Sequence, residues 1–141
     1  MIIDHIGIAV KSIEKGIAHW RDVFGYRQAT EVVVNTRQQV KVVFMEKAGS
    51  LTVKLISPSD DTSPLHQFLA KGEGMHHLCF KCDDLTAQLD ELKAKGLRTI
   101  APMQPGEAFD NENIAFVFGK MGLNIEIIDT DKRAERIKKD S

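Results

Sequence analysis

The sequence predicts a single α+β domain made of two tandem βαβββ modules that pack around a central cleft. The first observation is an internal repeat, because similar segments recur 72 residues apart. The matching pairs are 5–10 with 77–82, 42–44 with 114–116, and 51–56 with 123–128. The second observation is that each half has the pattern of a strand, a helix and three strands. The third is the length of 141 residues, which suits one domain.

The first module, residues 1–58, begins with an Ile- and Val-rich strand over 1–10, in which Gly7 indicates a bend or a close backbone approach. Ser12 then caps a helix whose apolar residues have spacings of four, three and four, and which Gly25 ends. These apolar residues are Ile13, Ile17, Trp20 and Phe24. Three strands follow, over 26–34, 40–45 and 51–56, and Pro58 stops the last one.

A linker over 59–74 contains a predicted short helix, which Ser63 and Pro64 begin and Gly72 ends. The second module, residues 75–130, repeats the pattern of the first. Its predicted elements are a strand over 75–82, a helix from Asp84 to Gly96 with Leu85, Leu89 and Leu92 inside, a strand over 97–100, a loop over 101–111, and strands over 113–118 and 123–128. The charged tail, residues 131–141, is predicted to be a frayed helix or solvated coil.

A module of this kind covers one face of its strands with a helix and leaves the other face apolar. Two modules must therefore pack together to bury those faces. The concave surface between them is where a small molecule is expected to bind.

Composition narrows the class of partner. The chain has nineteen Lys and Arg residues against twenty Asp and Glu residues, so its net charge is close to zero. No excess of positive charge indicates binding to nucleic acid or to an anionic membrane. The longest apolar runs are far short of the roughly 20 residues of a membrane-spanning helix. Without a secretory signal pattern, a cytoplasmic location is expected. Cys79 and Cys82 lie three apart in a predicted strand, so they face opposite sides and are expected to be ordinary reduced thiols.

The repeat also singles out four polar positions. Each half opens with a strand that carries a His and contains a later strand with one ionisable residue in an apolar run. The equivalent pairs are His5 with His77 and Lys54 with Glu126. Two imidazoles and one carboxylate that face a common cleft make a divalent metal site with open positions, so His5, His77 and Glu126 are candidate ligands.

Structural interpretations of the same residues stay open at this point. Glu126 shares one face of its strand with Asn124 and Ile128, so it could be exposed to solvent. His5 could be a hydrogen-bonded His without a ligand role.

The runs 4–10, 63–69, 72–80 and 125–127 resemble methylmalonyl-CoA epimerases and, more broadly, the vicinal oxygen chelate superfamily of glyoxalases and extradiol dioxygenases. The resemblance covers residues 2 to about 129. It implies paired modules, a U-shaped mixed sheet and a divalent metal ion (Zn, Co, Ni, Mn or Fe) in the cleft, held by His5, His77 and Glu126. It also implies a small-molecule substrate and a homodimer.

Two positions depart from the epimerase pattern. Lys54 stands where the family has a fourth ligand, Gln or Glu, and an ammonium has no lone pair to give a metal. Lys54 could act as a base, anchor a substrate carboxylate or enolate, weaken metal binding, or pair with Glu126 without a metal. The loop over 105–111 replaces a glycine-rich stretch, so Phe109, Asp110 and Asn111 are expected to contact a different substrate group.

The resemblance implies an enzyme that abstracts a proton alpha to a carbonyl through a metal-stabilised enolate. The expected reaction is that of an epimerase, an isomerase or a glyoxalase-type lyase on an acyl thioester or 2-oxo compound. Glu126 and Lys54 are the candidate catalytic residues. The alternatives are a metal-free ligand-binding protein and an iron-dependent dioxygenase, which uses the same two-His, one-carboxylate set.

Overall fold

A computed structural model describes residues 1–139. These residues contain nine β-strands and three α-helices. The strands are β1 (Ile2–Ala9), β2 (Arg27–Gln28), β3 (Val33–Asn35), β4 (Val40–Glu46), β5 (Thr52–Pro58), β6 (Gly74–Lys81), β7 (Arg98–Pro105), β8 (Asn113–Phe118) and β9 (Asn124–Ile128). The helices are α1 (Ile13–Phe24), α2 (Leu65–Leu69) and α3 (Leu85–Ala94).

The strands form one mixed sheet in the order β2-β4-β5-β1-β6-β9-β8-β7, with β3 also paired to β4. The first strands of the two halves, β1 and β6, pair antiparallel at its centre. On either side lies the last strand of each half, because β5 is parallel to β1 and β9 is parallel to β6. The predicted α+β fold with a mixed sheet is confirmed.

Local sequence signals account for the helix ends. The Ser12 hydroxyl accepts a hydrogen bond from the Lys15 backbone N–H at 3.3 Å, and the Asp84 carboxylate accepts one from the Ala87 N–H at 3.0 Å. Gly25 ends α1 in the left-handed conformation, at a φ of 73°. The short helix α2 begins at Leu65, just after the predicted Ser63 and Pro64 start.

Three hydrophobic clusters hold the layers together. On the outer face of the sheet, α1 packs on β4 and β5 through a cluster that includes Ile13, Ile17 and Leu55, and α3 packs on β8 and β9 through a second one. The third cluster lies on the inner face and joins residues from both halves. Cys79 belongs to this inner cluster and Cys82 packs against the outer one, so the two thiols face opposite sides as predicted.

The structure corrects three boundaries. The predicted strand over 26–34 is broken into β2 and β3, because the backbone between them pairs with the tail. The Ile137 N–H donates to the Ala29 carbonyl, and the Glu31 N–H donates to the Glu135 carbonyl, both at 2.9 Å. The tail is therefore neither a helix nor solvated coil in its described part, and its residues 140–141 lie outside the described residues. The predicted loop over 101–111 instead extends β7 to Pro105 and continues as a 3₁₀ turn over Glu107–Phe109.

Among residues 1–139, no helix combines the length and the apolar character needed to cross a membrane. The cytoplasmic location and the homodimer stay predictions.

Candidate functional site

The four polar positions that the repeat singles out lie on the four central strands of the sheet. Lys54 is on β5, His5 on β1, His77 on β6 and Glu126 on β9. All four residues are buried, with exposed fractions of 2% or less. The structure thus brings together every residue that the sequence predicted as a metal ligand or catalytic group, and an exposed Glu126 is ruled out.

Glu126 is the centre of this buried cluster. Its Oε1 atom lies 2.9 Å from His5 Nε2 and 3.1 Å from His77 Nε2. The Lys54 ammonium donates to both carboxylate oxygens, at 3.1 Å to Oε2 and 3.3 Å to Oε1. Burial alone would raise the pKa of Glu126, but the positive charge of Lys54, the hydrogen bond from His5 and the proximity of the His77 ring hold that pKa well below its usual range. Glu126 is therefore ionised at neutral pH.

His77 approaches Glu126 without a well-directed hydrogen bond. Its Nε2 atom is buried and has no hydrogen-bond partner in the described residues, although Oε1 is only 3.1 Å away. Its other ring nitrogen, Nδ1, lies 2.8 Å from Nδ1 of His76. Burial lowers the pKa of His77 to about 4, partly opposed by the Glu126 carboxylate. His77 is therefore a neutral imidazole above about pH 5.

Gly7 makes room for this imidazole. A Cβ atom added at Gly7 would lie 2.1 Å from Cε1 of His77 and 2.4 Å from both ring nitrogens. The ring therefore rests directly on the backbone of β1, the neighbouring strand. The close backbone approach predicted at Gly7 is confirmed, and any side chain there would displace His77.

The donor set fits a divalent metal ion. One atom from each of His5, His77 and Glu126 lies within 4.8 Å of the others, and the unpartnered Nε2 of His77 points into that group. Two imidazole nitrogens and a carboxylate oxygen that converge in this way form a donor set that a divalent cation can use. Lys54, the equivalent of Glu126 in the first half, lies beside these three residues. Its ammonium would compete with an ion for the Glu126 carboxylate.

A cavity of about 460 Å³ opens beside the cluster. Its walls are mostly apolar, and the described residues that line it include Lys54, His76 and His77 but no acidic residue. Side-chain amides add neutral polar groups to the lining: Asn35, Gln38, Gln67, Gln104 and Asn124. Such a cavity suits a small molecule that carries a few polar groups.

The three predicted substrate contacts lie elsewhere. Phe109 is fully buried behind the cluster, where its ring packs on the His5 ring at 6.3 Å between centroids and lies 5.2 Å from the Lys54 ammonium. Asp110 and Asn111 follow it in a turn with positive φ angles of 53° and 65°. None of the three is among the residues that line the cavity.

Other residues around the cluster were not predicted as functional. His76 lines the cavity, and only its neighbour His77 was expected to matter. Asp4 bonds to His5 Nδ1 at 2.7 Å and to Arg133 at 2.6 Å. The position of Asp4 directly before His5 was a usable signal, but the pattern of the charged tail contains nothing that marks Arg133.

Comparisons with known proteins identify the family and the fold of this chain. Residues 4–118 match the model of a family described as the Glyoxalase/Bleomycin resistance protein/Dioxygenase superfamily. The chain belongs to this superfamily. The superfamily fold is also found in solved structures, including that of methylmalonyl-CoA epimerase from Mycobacterium tuberculosis, with a TM-score of 0.80 and 29% identity over 90% of this chain and 86% of that one.

Relatives by sequence include the uncharacterized protein YqjC of Bacillus subtilis and the mitochondrial methylmalonyl-CoA epimerase of the mouse. The first is 37% identical over 82% of this chain and 81% of its own length. The second is 36% identical over 70% of this chain, and the matched part spans only 56% of the mouse protein. A Streptomyces coelicolor methylmalonyl-CoA epimerase in complex with 2-nitronate-propionyl-CoA is 26% identical, with a TM-score of 0.80 and coverage of 93% of this chain and 98% of that one.

Proposed function

We propose that this chain is an epimerase or isomerase that abstracts a proton alpha to the carbonyl of a small acyl thioester. The observation that carries the proposal is the buried cluster of His5, Lys54, His77 and Glu126 at the wall of the cavity. The epimerase relatives, one of them solved with an acyl-CoA analogue, support a thioester of the methylmalonyl-CoA type as substrate.

The acyl group of the substrate would occupy the cavity, with its carbonyl oxygen toward the cluster. The mostly apolar walls would lower the local dielectric, which would strengthen the interaction of the cluster with a developing enolate oxygen. The volume of about 460 Å³ suits the acyl part rather than a whole CoA, so the nucleotide part would extend outside it.

Lys54 is the candidate acid and base that contacts the substrate. It lines the cavity, whereas Glu126 is fully buried behind it and is not among the lining residues. As a neutral amine Lys54 can take the alpha proton, and as an ammonium it can return the proton to the enolate. Glu126 would then hold Lys54 in place, because the carboxylate accepts hydrogen bonds from Lys54 through both oxygens.

His5, His77 and Glu126 are the residues that would hold a divalent cation. When bound there, the ion would act as a Lewis acid on the carbonyl oxygen of the substrate. The cavity offers no acidic residue as a second base among its described lining residues. We therefore expect that Lys54 serves both faces of the alpha carbon or that His76, which also lines the cavity, serves one of them.

A metal-free ligand-binding protein is the second candidate. The contact of Lys54 with both oxygens of Glu126 favours it, because an ammonium in that place already supplies a positive charge to the carboxylate. Such a protein would bind an acyl thioester in the cavity without exchanging its alpha proton.

Proton exchange in D₂O separates the two candidates. The purified chain is incubated with methylmalonyl-CoA, with and without added Zn, Co, Ni, Mn or Fe salts, and deuterium at the alpha carbon is followed by mass spectrometry. The proposal expects enzyme-dependent exchange that His77→Ala and Lys54→Gln lower by at least about 100-fold, the usual size of an acid–base contribution. The matched control is His19→Ala, which removes an exposed His on α1. Tight binding of the thioester without exchange under any metal would favour the ligand-binding candidate.

A further inference from the structure

The tail reaches the back of the cluster. Residues 131–137, which we call the C-terminal strap, are joined to the body of the domain by backbone hydrogen bonds, among them one from the Ala134 N–H to the Ala108 carbonyl at 2.9 Å. Ion pairs also hold the strap: Lys132 with Glu112 at 2.7 Å and Arg136 with Glu46 at 3.4 Å. These contacts fix the strap against the body of the domain, and none of its residues lines the cavity.

Arg133 is the residue of the strap that points inward. Its side chain is only 7% exposed, and its guanidinium carbon lies 4.8 Å from the ring centroids of both Phe44 and Phe109. A guanidinium between two aromatic faces is held by cation–π attraction, but a buried charge also needs a partner of opposite sign. That partner is Asp4, whose carboxylate accepts a hydrogen bond from Arg133 at 2.6 Å.

Asp4 connects Arg133 to the candidate ligands. The carboxylate oxygen that Arg133 bonds, Oδ2, also accepts from Nδ1 of His5 at 2.7 Å. The opposite ring nitrogen of His5, Nε2, lies 2.9 Å from Oε1 of Glu126. Carboxylate partners of this kind commonly fix the orientation of a ligand imidazole and raise its basicity. Burial opposes the ionised form of Asp4, and the neighbouring His5 and Arg133 overcome it, so the pKa of Asp4 is lowered.

We propose that Arg133 is a positioning residue that holds the metal-binding geometry of His5 through Asp4, so that the C-terminal strap is part of the active-site architecture. The chain of contacts runs from the Arg133 guanidinium to Asp4 Oδ2, through the His5 ring, to Glu126 Oε1. The inference rests on the proposed function in one respect, which is that His5 serves as a ligand.

The test compares Arg133→Gln with Arg136→Gln, a matched control on the same strap that pairs with Glu46 and not with the cluster. Both are made in the parent and in an Asp4→Asn background. Two quantities are measured: the zinc dissociation constant by competition titration, and the hydrogen-bonded Nδ1–H signal of His5 by NMR in the metal-free protein.

Arg133→Gln is expected to weaken zinc binding by about 10- to 100-fold and to broaden the His5 Nδ1–H signal through faster exchange with water. Arg136→Gln is expected to change neither. Because Arg133 acts through Asp4, its substitution is expected to add no further loss in the Asp4→Asn background. If the Gln variant does not fold, Arg133→Lys, which retains the charge and most of the stem, is expected to show a smaller change in the same direction.

Parent-like zinc affinity and His5 signals in Arg133→Gln would overturn the proposal. An equal loss in the Asp4→Asn background would also overturn it, because Arg133 would then act by packing on the aromatic rings alone. If the parent binds no zinc, the metal part of the proposed function fails. The His5 signal still decides the role of Arg133 in that case, because it is read without metal.

Discussion

Replacement of Lys54 by Gln is the most informative perturbation of the cluster. The change removes the ammonium that lies 3.1 and 3.3 Å from the two oxygens of Glu126 and puts an amide in its place. At an effective dielectric constant of about 20, the attraction between unit charges at this distance is about 5 kcal/mol before desolvation is counted. Loss of one partner of a buried pair commonly destabilises a protein by about 3 to 5 kcal/mol. His5 still bonds to Glu126, so we expect the lower end, about 3 kcal/mol, in the metal-free protein at pH 7.

Metal affinity is expected to change in the opposite direction. An ion bound by Glu126 must overcome the positive charge of Lys54 in the parent, whereas the amide oxygen of Gln can serve as a ligand. A neighbouring charge commonly shifts an ionisation equilibrium by about one to three pKa units, so zinc should bind at least about 10-fold more tightly to the variant. The variant is thus expected to be a better metal site and a worse catalyst.

Urea denaturation in EDTA measures the first effect, and the zinc-dependent rise in melting temperature measures the second. The control is Lys41→Gln, a half-buried lysine on β4. The destabilisation should shrink as the pH falls below 4.5, because the pair contributes stability only while Glu126 is ionised in the folded protein. A variant as stable as the parent in EDTA, or one that binds zinc more weakly than the parent, would refute this account of Lys54.

Three further predictions concern the same cluster. Gly7→Ala should destabilise the protein by about 1 to 3 kcal/mol and weaken zinc binding, because the added Cβ would overlap the His77 ring. The control is Gly16→Ala, whose Cβ would meet only side-chain ends 3.2 Å away. Equal losses of stability in urea denaturation would count against the overlap. The metal-free protein should lose about 3 kcal/mol of stability as the pH falls from 6.5 to 4, because the unfolded chain protonates His77 in that range and the folded protein does not. His77→Gln should flatten this part of the curve of stability against pH. An unchanged slope would contradict the lowered pKa of His77. Glu126→Gln should abolish zinc binding and lower deuterium exchange by at least about 100-fold, and a variant that retains parent-like zinc affinity would show that the carboxylate is not a ligand.

The sequence was informative where the signal is local or repeated. Helix starts at Ser12 and Asp84 follow from hydrogen bonds over three residues, so they can be predicted without knowledge of the fold. The repeat did more than predict two modules. Because equivalent positions of a duplicated unit occupy equivalent places, it selected His5 and His77 on the two central strands.

Boundaries that depend on distant contacts were predicted poorly. The strand over 26–34 has continuous strand composition, yet it is broken where the strap pairs with Ala29 and Glu31, more than 100 residues away. The segment over 101–111 contains Pro and Gly, which suggested a loop, but pairing with β8 keeps its first half in the sheet up to Pro105. In both places tertiary pairing overrides local composition.

By itself, the sequence determined the α+β class, the duplicated strand–helix–strand pattern and the chemical character of the four central residues. The tertiary structure decided how they interact: that Lys54 bonds to Glu126 rather than to solvent, that Gly7 accommodates His77, and that Arg133 reaches Asp4. The physical reason is separation along the chain. Periodicity and capping act over a few residues, whereas Lys54 and Glu126 are 72 residues apart and Arg133 and Asp4 are 129 apart. Contacts at that range depend on the packing of the whole sheet.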